Sequence, residues 1–492
     1  MSNSMSRRTF LQRSGVAALG MTIIPSIAMG KKYSGQTAPS DKLNIAAVGI
    51  GGMGHTNINN VKGTENIVAL CDVDWKYAKE AFDENPRAKQ FKDWRKMYDE
   101  MGKSIDAVIV ATADHTHAII AATGITLGKH VFVQKPLTHS VYESRLLTRL
   151  ADKYKVATQM GNQGASGEGV NLTCEWIANG EIGEVTQVDT FTDRPIWPQG
   201  VSTPEGQWVP DYLDWDLFIG PAKMRPYNEA YHPWNWRGWW DFGTGALGDM
   251  ACHILHPVFM GLELGYPTKA QGSSTLLLAD SAPVAQSVHL TFPARTPKRK
   301  MKVKFPEVVV NWTDGGIKPM LPVGWPAGKD PNNQGGYVCF HGTKDKLICG
   351  CYGAEPWLLS GRVPNAPQFR RRIKESHEMD WVGACKESPE NRRKLGSDFS
   401  DAGPLNEMVV MGVLAVRLQT LNKELQWDGP NMTFTNLNDS ELIKIVSKDG
   451  FTIHNGHPTF NKEWTDPVSA KQFAAELIRH TYRDGWSLPA MV

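Results

Sequence analysis

At 492 residues the chain is too long for one ordinary domain, and its length suggests two or three. The 41% hydrophobic content can fill sizeable cores, and the seven cysteines lack CxxC spacing, which argues against a zinc site or a disulfide framework. Five of the 53 basic residues (Arg7, Arg8, Arg13, Lys31, Lys32) fall in positions 1–40, which hold no acid; the other 48 face 51 acidic residues, so no nucleic-acid partner is expected.

The chain opens with Ser6-Arg7-Arg8-Thr9-Phe10-Leu11, an apolar run from Val16 to Ile24, and Ser26-Ile27-Ala28 with small residues at cleavage-type positions. This resembles a twin-arginine export signal over 1–30, followed by a linker over 31–40, and implies a periplasmic protein. The apolar run is too short to span a bilayer comfortably, so no integral membrane segment is expected once the signal is removed.

Asn44 to Gly54 (NIAAVGIGGMG) carries the first chemistry. An apolar run breaks into Gly49, Gly51 and Gly54 with GxGxxG spacing, and a helix-compatible segment follows. The first glycine permits a tight turn, the second lets backbone approach a pyrophosphate, and the third allows close packing of helix on strand. Val68 to Asp72 then reads as a second buried strand ending in a carboxylate, where the fingerprint expects an acid for ribose hydroxyls. Asp72 would repel a 2′-phosphate, so the expected cofactor is NAD in preference to NADP; the alternative is that Asp72 and Asp74 merely begin the next helix.

From 41 to 160, apolar runs near Ile45, Val68, Val108, Val131 and Val156 alternate with amphipathic segments, which predicts a Rossmann-type, doubly wound parallel sheet. Ser140-Val-Tyr-Glu143 reads as a capping box opening a helix to about Tyr154. Val110 to His117 (VATADHTH) and Gly128 to Pro136 (GKHVFVQKP) fall at carboxyl ends of strands, where open α/β sheets bind ligands. Together they resemble the glucose-fructose oxidoreductase and inositol dehydrogenase (Gfo/Idh/MocA) family, as a secreted bacterial member. The family pattern has Glu-Lys-Pro where this chain has Gln134-Lys135-Pro136, a change that removes a charge able to hold the lysine. The resemblance implies that Lys135 sits between nicotinamide and substrate. There an ammonium stabilises negative charge developing on a hydroxyl oxygen.

Past Gly161 the composition shifts, with Trp197, Trp208, Trp215, Trp234, Trp236, Trp239 and Trp240 crowded together. Most are expected in a core and one or two against a ligand. Asp249 and His253 follow a glycine-rich stretch; on a helix running towards Met260 they are i and i+4 on one face. A carboxylate beside an imidazole orients the ring as a general base. The family's Asp-x-x-x-His matches here, and its histidine is the usual proton acceptor. The resemblance thus assigns catalysis to Lys135, Asp249 and His253, and cofactor contacts to Gly49, Gly51, Gly52, Met53, Gly54, Asp72, Thr112, His117 and Lys135. His256 is read as tuning the pocket or only packing, and no metal is expected.

Runs at Ser287 to Phe292, Met301 to Trp312 and Gly336 to Phe340 predict an α+β second domain over 161–431 with a large, open, mostly antiparallel sheet. Helices near Met379 to Cys385 and Leu405 to Leu421 should cover part of it, and 432–492 form a tail packed on the domains. The family resemblance adds a homo-oligomer. Gly396 to Pro404 resembles a stretch of the bacterial secreted members. The expected function is oxidation or reduction of a hydroxyl of a sugar or glycoside with a tightly bound nicotinamide. Its alternatives are redox-neutral glycoside cleavage by oxidation and elimination, and a non-catalytic sugar-binding protein on the same scaffold.

Overall fold

The structure, a computed structural model, describes residues 41–491, so the expected export signal and linker lie outside the described residues. Strands β1 (Asn44–Val48), β2 (Asn66–Cys71), β3 (Lys89–Phe91), β4 (Ala107–Val110), β5 (His130–Val133) and β6 (Thr158–Met160) form a parallel sheet in the order β3-β2-β1-β4-β5-β6. Their residues are apolar on both faces because each face has its own core: Ile45 and Ala47 join one, Ala46 and Val48 the other. Strand order reverses at β1 and β4, and the carboxyl ends part there into a cleft. The helix Val141–Tyr154 begins at the expected capping box, with Glu143 N donating to Ser140 Oγ at 3.4 Å and Ser140 N donating to Glu143 Oε2 at 3.0 Å.

The second sheet contains β7 (Val185–Thr192), β8 (Lys269–Ser274), β9 (Gln286–Phe292), β10 (Val308–Thr313), β11 (Gly336–Gly342), β12 (Lys346–Gly350), β13 (Trp357–Leu358), β14 (Leu425–Asp428) and β15 (Thr433–Phe434). Their order is β13-β12-β11-β7-β10-β9-β8-β14-β15, antiparallel throughout except for the β7–β10 pair. The run expected as one strand from Met301 to Trp312 becomes a strand only at Val308, because Pro306 cannot donate to a ladder. The helix expected from Leu405 starts at Phe399 and ends at Arg417; Asp398 caps it by accepting from Ser400 N at 2.9 Å, and Pro404 sits inside it. Gly396 to Pro404 serves the first sheet: Met160 N donates to Ser397 O at 2.9 Å and Phe399 N to Thr158 Oγ1 at 3.2 Å.

Residues after Met432 turn back onto the rest of the molecule. The Tyr482 hydroxyl donates to Glu143 Oε1 at 2.7 Å, and Arg483 Nη1 reaches Asp216 at 2.8 Å. Among the described residues no helix is long and apolar enough to cross a membrane.

One buried ion pair ties the two sheets' helices together. Arg145 donates Nε and Nη2 to the two oxygens of Glu407, both at 2.7 Å, and Nη2 also to Gly429 O at 2.9 Å. The side chains are only 8% and 5% exposed. Removing one partner strands the other charge in the interior, so Glu407→Ala is expected to cost about 3–5 kcal/mol in urea unfolding. A loss below about 1 kcal/mol, the value of a screened surface pair, would refute this account.

Candidate active site

After β1 the chain turns at Gly49, whose φ is +75° and where a Cβ would stand 2.6 Å from the Ala111 carbonyl. At Gly54 a Cβ would collide with the Gly49 carbonyl oxygen. Only glycine lets turn and helix approach this closely. Gly49, Gly51, Gly52 and Met53 line one wall of a cavity of about 460 Å³, joined by Asp72 and Thr112. The Tyr77 ring lies over Gly51, with its hydroxyl against Gly52.

Asp72 is pinned at the rim, its carboxylate accepting from Ile50 N at 2.8 Å and Asp74 N at 2.9 Å. Asp74 takes the turn-starting role instead, accepting from Lys76 N and Tyr77 N at 2.9 and 2.8 Å. A glycine turn that no side chain could enter, a helix N-terminus and a carboxylate at the next strand end suit a dinucleotide. His117 does not line this cavity: it is buried, with ring nitrogens 2.8 Å from Pro136 O and 3.0 Å from Thr112 O, and burial pulls its pKa down to about 4. It braces the end of β4 against the turn after β5.

The other wall carries a cluster of charged side chains. Lys135, two residues past β5, donates Nζ to Asp249 Oδ1 at 2.7 Å and to Asp249 O at 2.9 Å. Arg237 Nε donates to the same Oδ1 at 3.0 Å, while its guanidinium stacks 4.3 Å from the Trp236 ring. Burial alone would raise the Asp249 carboxyl, but the ammonium and the guanidinium hold it well below the usual carboxylate range.

The helix Gly245–Ile254 carries both Asp249 and His253, and His253 also lines the cavity, its ring 4.7 Å from that of Tyr352. Asp249 does not orient that ring as expected. Two cations within hydrogen-bond reach outcompete a neutral imidazole for the carboxylate, and His253 Nδ1 is buried with no hydrogen-bond partner. Burial, then Lys135, push the His253 pKa well below its ordinary value, so the ring is neutral. His256 is buried outside the cavity lining, with both ring nitrogens unpartnered.

Gln134 does not hold the lysine either. Its Nε2 donates to Asn57 Oδ1 at 2.9 Å, and Asn57 Nδ2 donates to Glu378 Oε1 at 2.7 Å, which ties the turn before Lys135 to the helix after the glycines.

Residues 193–244, between β7 and the helix of Asp249, cross the cofactor side of the cleft. Trp75 N donates to Tyr212 O at 3.1 Å, Asp214 N to Val73 O at 2.9 Å, and the His232 ring meets Asp74 Oδ2 at 2.8 Å. Of the clustered tryptophans, Trp215, Trp239 and Trp240 are core, Trp197, Trp234 and Trp236 line the cavity, and Trp208 is 96% exposed. Arg237, Tyr77, Tyr352 and Arg194 are cavity residues that the sequence did not single out. Arg237 carried a legible signal, since it stands 12 positions before Asp249 within the tryptophan cluster.

Residues 43–162 match the oxidoreductase family with an NAD-binding Rossmann fold, and 179–272 match the C-terminal alpha/beta domain of the same family. Inositol 2-dehydrogenase of Salmonella typhimurium is 28% identical over 152 residues, 30% of this chain and 44% of that protein. A glycosyl hydrolase family 109 protein of Shewanella pealeana is 25% identical over 207 residues, 37% of this chain and 44% of that protein. The chain thus spans less than half the length of these curated relatives. The WlbA dehydrogenase from Bordetella pertussis, solved with NADH and UDP-GlcNAcA, has the same fold at 16% identity, with a TM-score of 0.52 over 79% of this chain and 99% of that one. Residues 43–162 and 179–272 are thus similar to the two domains of the Gfo/Idh/MocA oxidoreductase family.

Proposed function

We propose that this protein is a nicotinamide-dependent oxidoreductase acting on a hydroxyl of a sugar or glycoside, with NAD as its cofactor. The observation that carries the reading is that Lys135, Asp249 and His253 share one cavity with the glycine turn and Asp72. Gly49, Gly51, Gly52 and Met53 would hold the pyrophosphate, and Asp72 the adenosine ribose. The nicotinamide, when bound, supplies the hydride acceptor.

His253 is neutral and takes the hydroxyl proton as the O–H bond breaks. Lys135 faces the oxygen and offsets its growing negative charge. Asp249 holds the lysine in place, and Arg237 anchors Asp249. Because burial makes a protonated His253 a strong acid, the same ring readily returns its proton. That suits a redox-neutral cleavage of a glycoside as a second reading, which the likeness to the family 109 glycosyl hydrolase favours. Net NADH release supports the first reading, and product without net cofactor reduction supports the second.

The export-type leader makes the periplasm the proposed location. A compartment without a nicotinamide pool then requires that the cofactor bind before export and stay bound, and the segment 193–244 laid across β2's end is the proposed retaining element.

His253→Ala is expected to lower turnover by about 10²–10⁴-fold with the nucleotide still bound, and Lys135→Ala to be comparably severe. The pH–rate profile of the unaltered enzyme should show its acid limb below the ordinary histidine value of about 6.5, since burial depresses the His253 pKa. A limb at or above that value would remove His253 as the base.

Asp72→Ala is expected to weaken NAD and narrow its advantage over NADP, read by titrating both nucleotides; tighter NADP binding by the unaltered protein would contradict the ribose role.

Protein recovered from the periplasm and dialysed without nucleotide should release NAD on denaturation, and Arg7→Lys with Arg8→Lys should leave it in the cytoplasm. Empty protein that consumes free NAD one for one would refute retention, and unchanged periplasmic yield would refute the export route.

A further inference from the structure

A second cavity of about 510 Å³ opens beside the catalytic one, lined by Trp325, Trp357, Lys329, Asp330, Asn332 and Glu355 among others. The two indoles stand 5.5 Å apart at 59°, both partly exposed. Trp357 packs on the apolar cluster of Phe191, Tyr337, Cys339 and Ile348, and the Lys329 ammonium stands 3.6 Å from its ring centroid; Lys329 is an exposed, flexible side chain able to swing aside and uncover the ring. Asn332 Oδ1 is enclosed without a hydrogen-bond partner, a cost that a ligand hydroxyl would relieve. Glu355 is held in position by Asn333 Nδ2, which donates to it at 3.1 Å.

The charge of this cavity selects among ligands. The ammonium groups of Lys329 and of Lys318, which pairs with Asp330 at 3.6 Å, balance the carboxylates of Asp330 and Glu355, so no net positive charge is left to hold a phosphate or carboxylate group. A neutral polyhydroxylated ring suits it, with apolar C–H faces for the indoles and hydroxyls for the acceptors.

The two cavities are neighbours. Asn332 Nδ2 donates to Asp193 Oδ2 at 2.9 Å, and the next residue, Arg194, lines the catalytic cavity. On the other side Glu355 follows three positions after Tyr352, the ring packed on His253. We propose that the second cavity is a saccharide subsite, holding a neutral sugar unit of an oligosaccharide whose reacting unit lies at His253. This rests on the sugar reading above and adds the length of the substrate to it.

The test is binding of cellotetraose, maltotetraose and chitotetraose beside their monosaccharides, read by tryptophan fluorescence and titration calorimetry on the full protein. At least one tetrasaccharide is expected to bind about tenfold tighter than its monosaccharide, the gain of roughly 1.4 kcal/mol that one stacked unit supplies. Trp357→Ala and, independently, Glu355→Gln should each erase most of that difference while leaving monosaccharide affinity unchanged. Glu355 is exposed, so the second variant decides the matter even where the first misfolds. No chain-length preference with any tetrasaccharide, or a preference that survives both substitutions, overturns the subsite. Monosaccharide oxidation without chain-length preference counts against the subsite alone, and chain-length-dependent binding without any redox chemistry counts against the oxidoreductase alone.

Discussion

The contact on which the site depends is the ion pair between Lys135 and Asp249. One partner stands at the carboxyl end of β5 in the parallel sheet, the other on a helix packed against the second sheet, 114 positions away. Their side chains are 15% and 12% exposed, so separating them leaves a charge in a poorly solvated place. The pair therefore fixes the register of the two halves across the cleft. It also sets the protonation of the site: the lysine helps keep Asp249 ionised and His253 neutral. Arg237 adds a second cation, and its stacking on Trp236 couples the pair to the aromatic wall.

The same contact explains how a neutral Gln134 is accommodated beside the lysine. Charge compensation comes from Asp249 across the cleft. Gln134 is free to serve a chain of hydrogen bonds through Asn57 to Glu378, which lies 321 positions beyond Asn57. The glycine-turn helix, the strand end before Lys135 and the helix His377–Cys385 are thereby held to one another beneath the cavity.

Long-range closure is the second theme. The segment 193–244 makes backbone hydrogen bonds to the stretch just after Asp72, and the tail returns Tyr482 to Glu143, the acid of the capping box. Arg483 of the same tail reaches Asp216 in the crossing segment. Chain remote from both sheets thus supports the two edges of the cleft, and an oligosaccharide path past Tyr352 and Arg194 would leave those supports in place.

Local rules were enough for the parallel sheet, the glycine turn, the capping box at Ser140 and the carboxylate at Asp72, because each is written in residues adjacent in sequence whose backbone demands are immediate. The motif resemblance pointed to Lys135, Asp249 and His253, which fold into one cavity, but it did not assign their partners. An i, i+4 spacing shows that Asp249 and His253 share a helix face, but which donor wins a carboxylate depends on every cation that folding brings within reach, and Lys135 and Arg237 arrive from elsewhere. His117 lies off the cavity for the same reason: its place in the motif is local, whereas the carbonyls that meet its ring come from two strand ends. The sequence by itself determined which chemical groups this protein carries and the strands and helices that present them. Only the tertiary structure decided which charges meet, since electrostatic pairing is set by distance and burial in space and not by spacing along the chain.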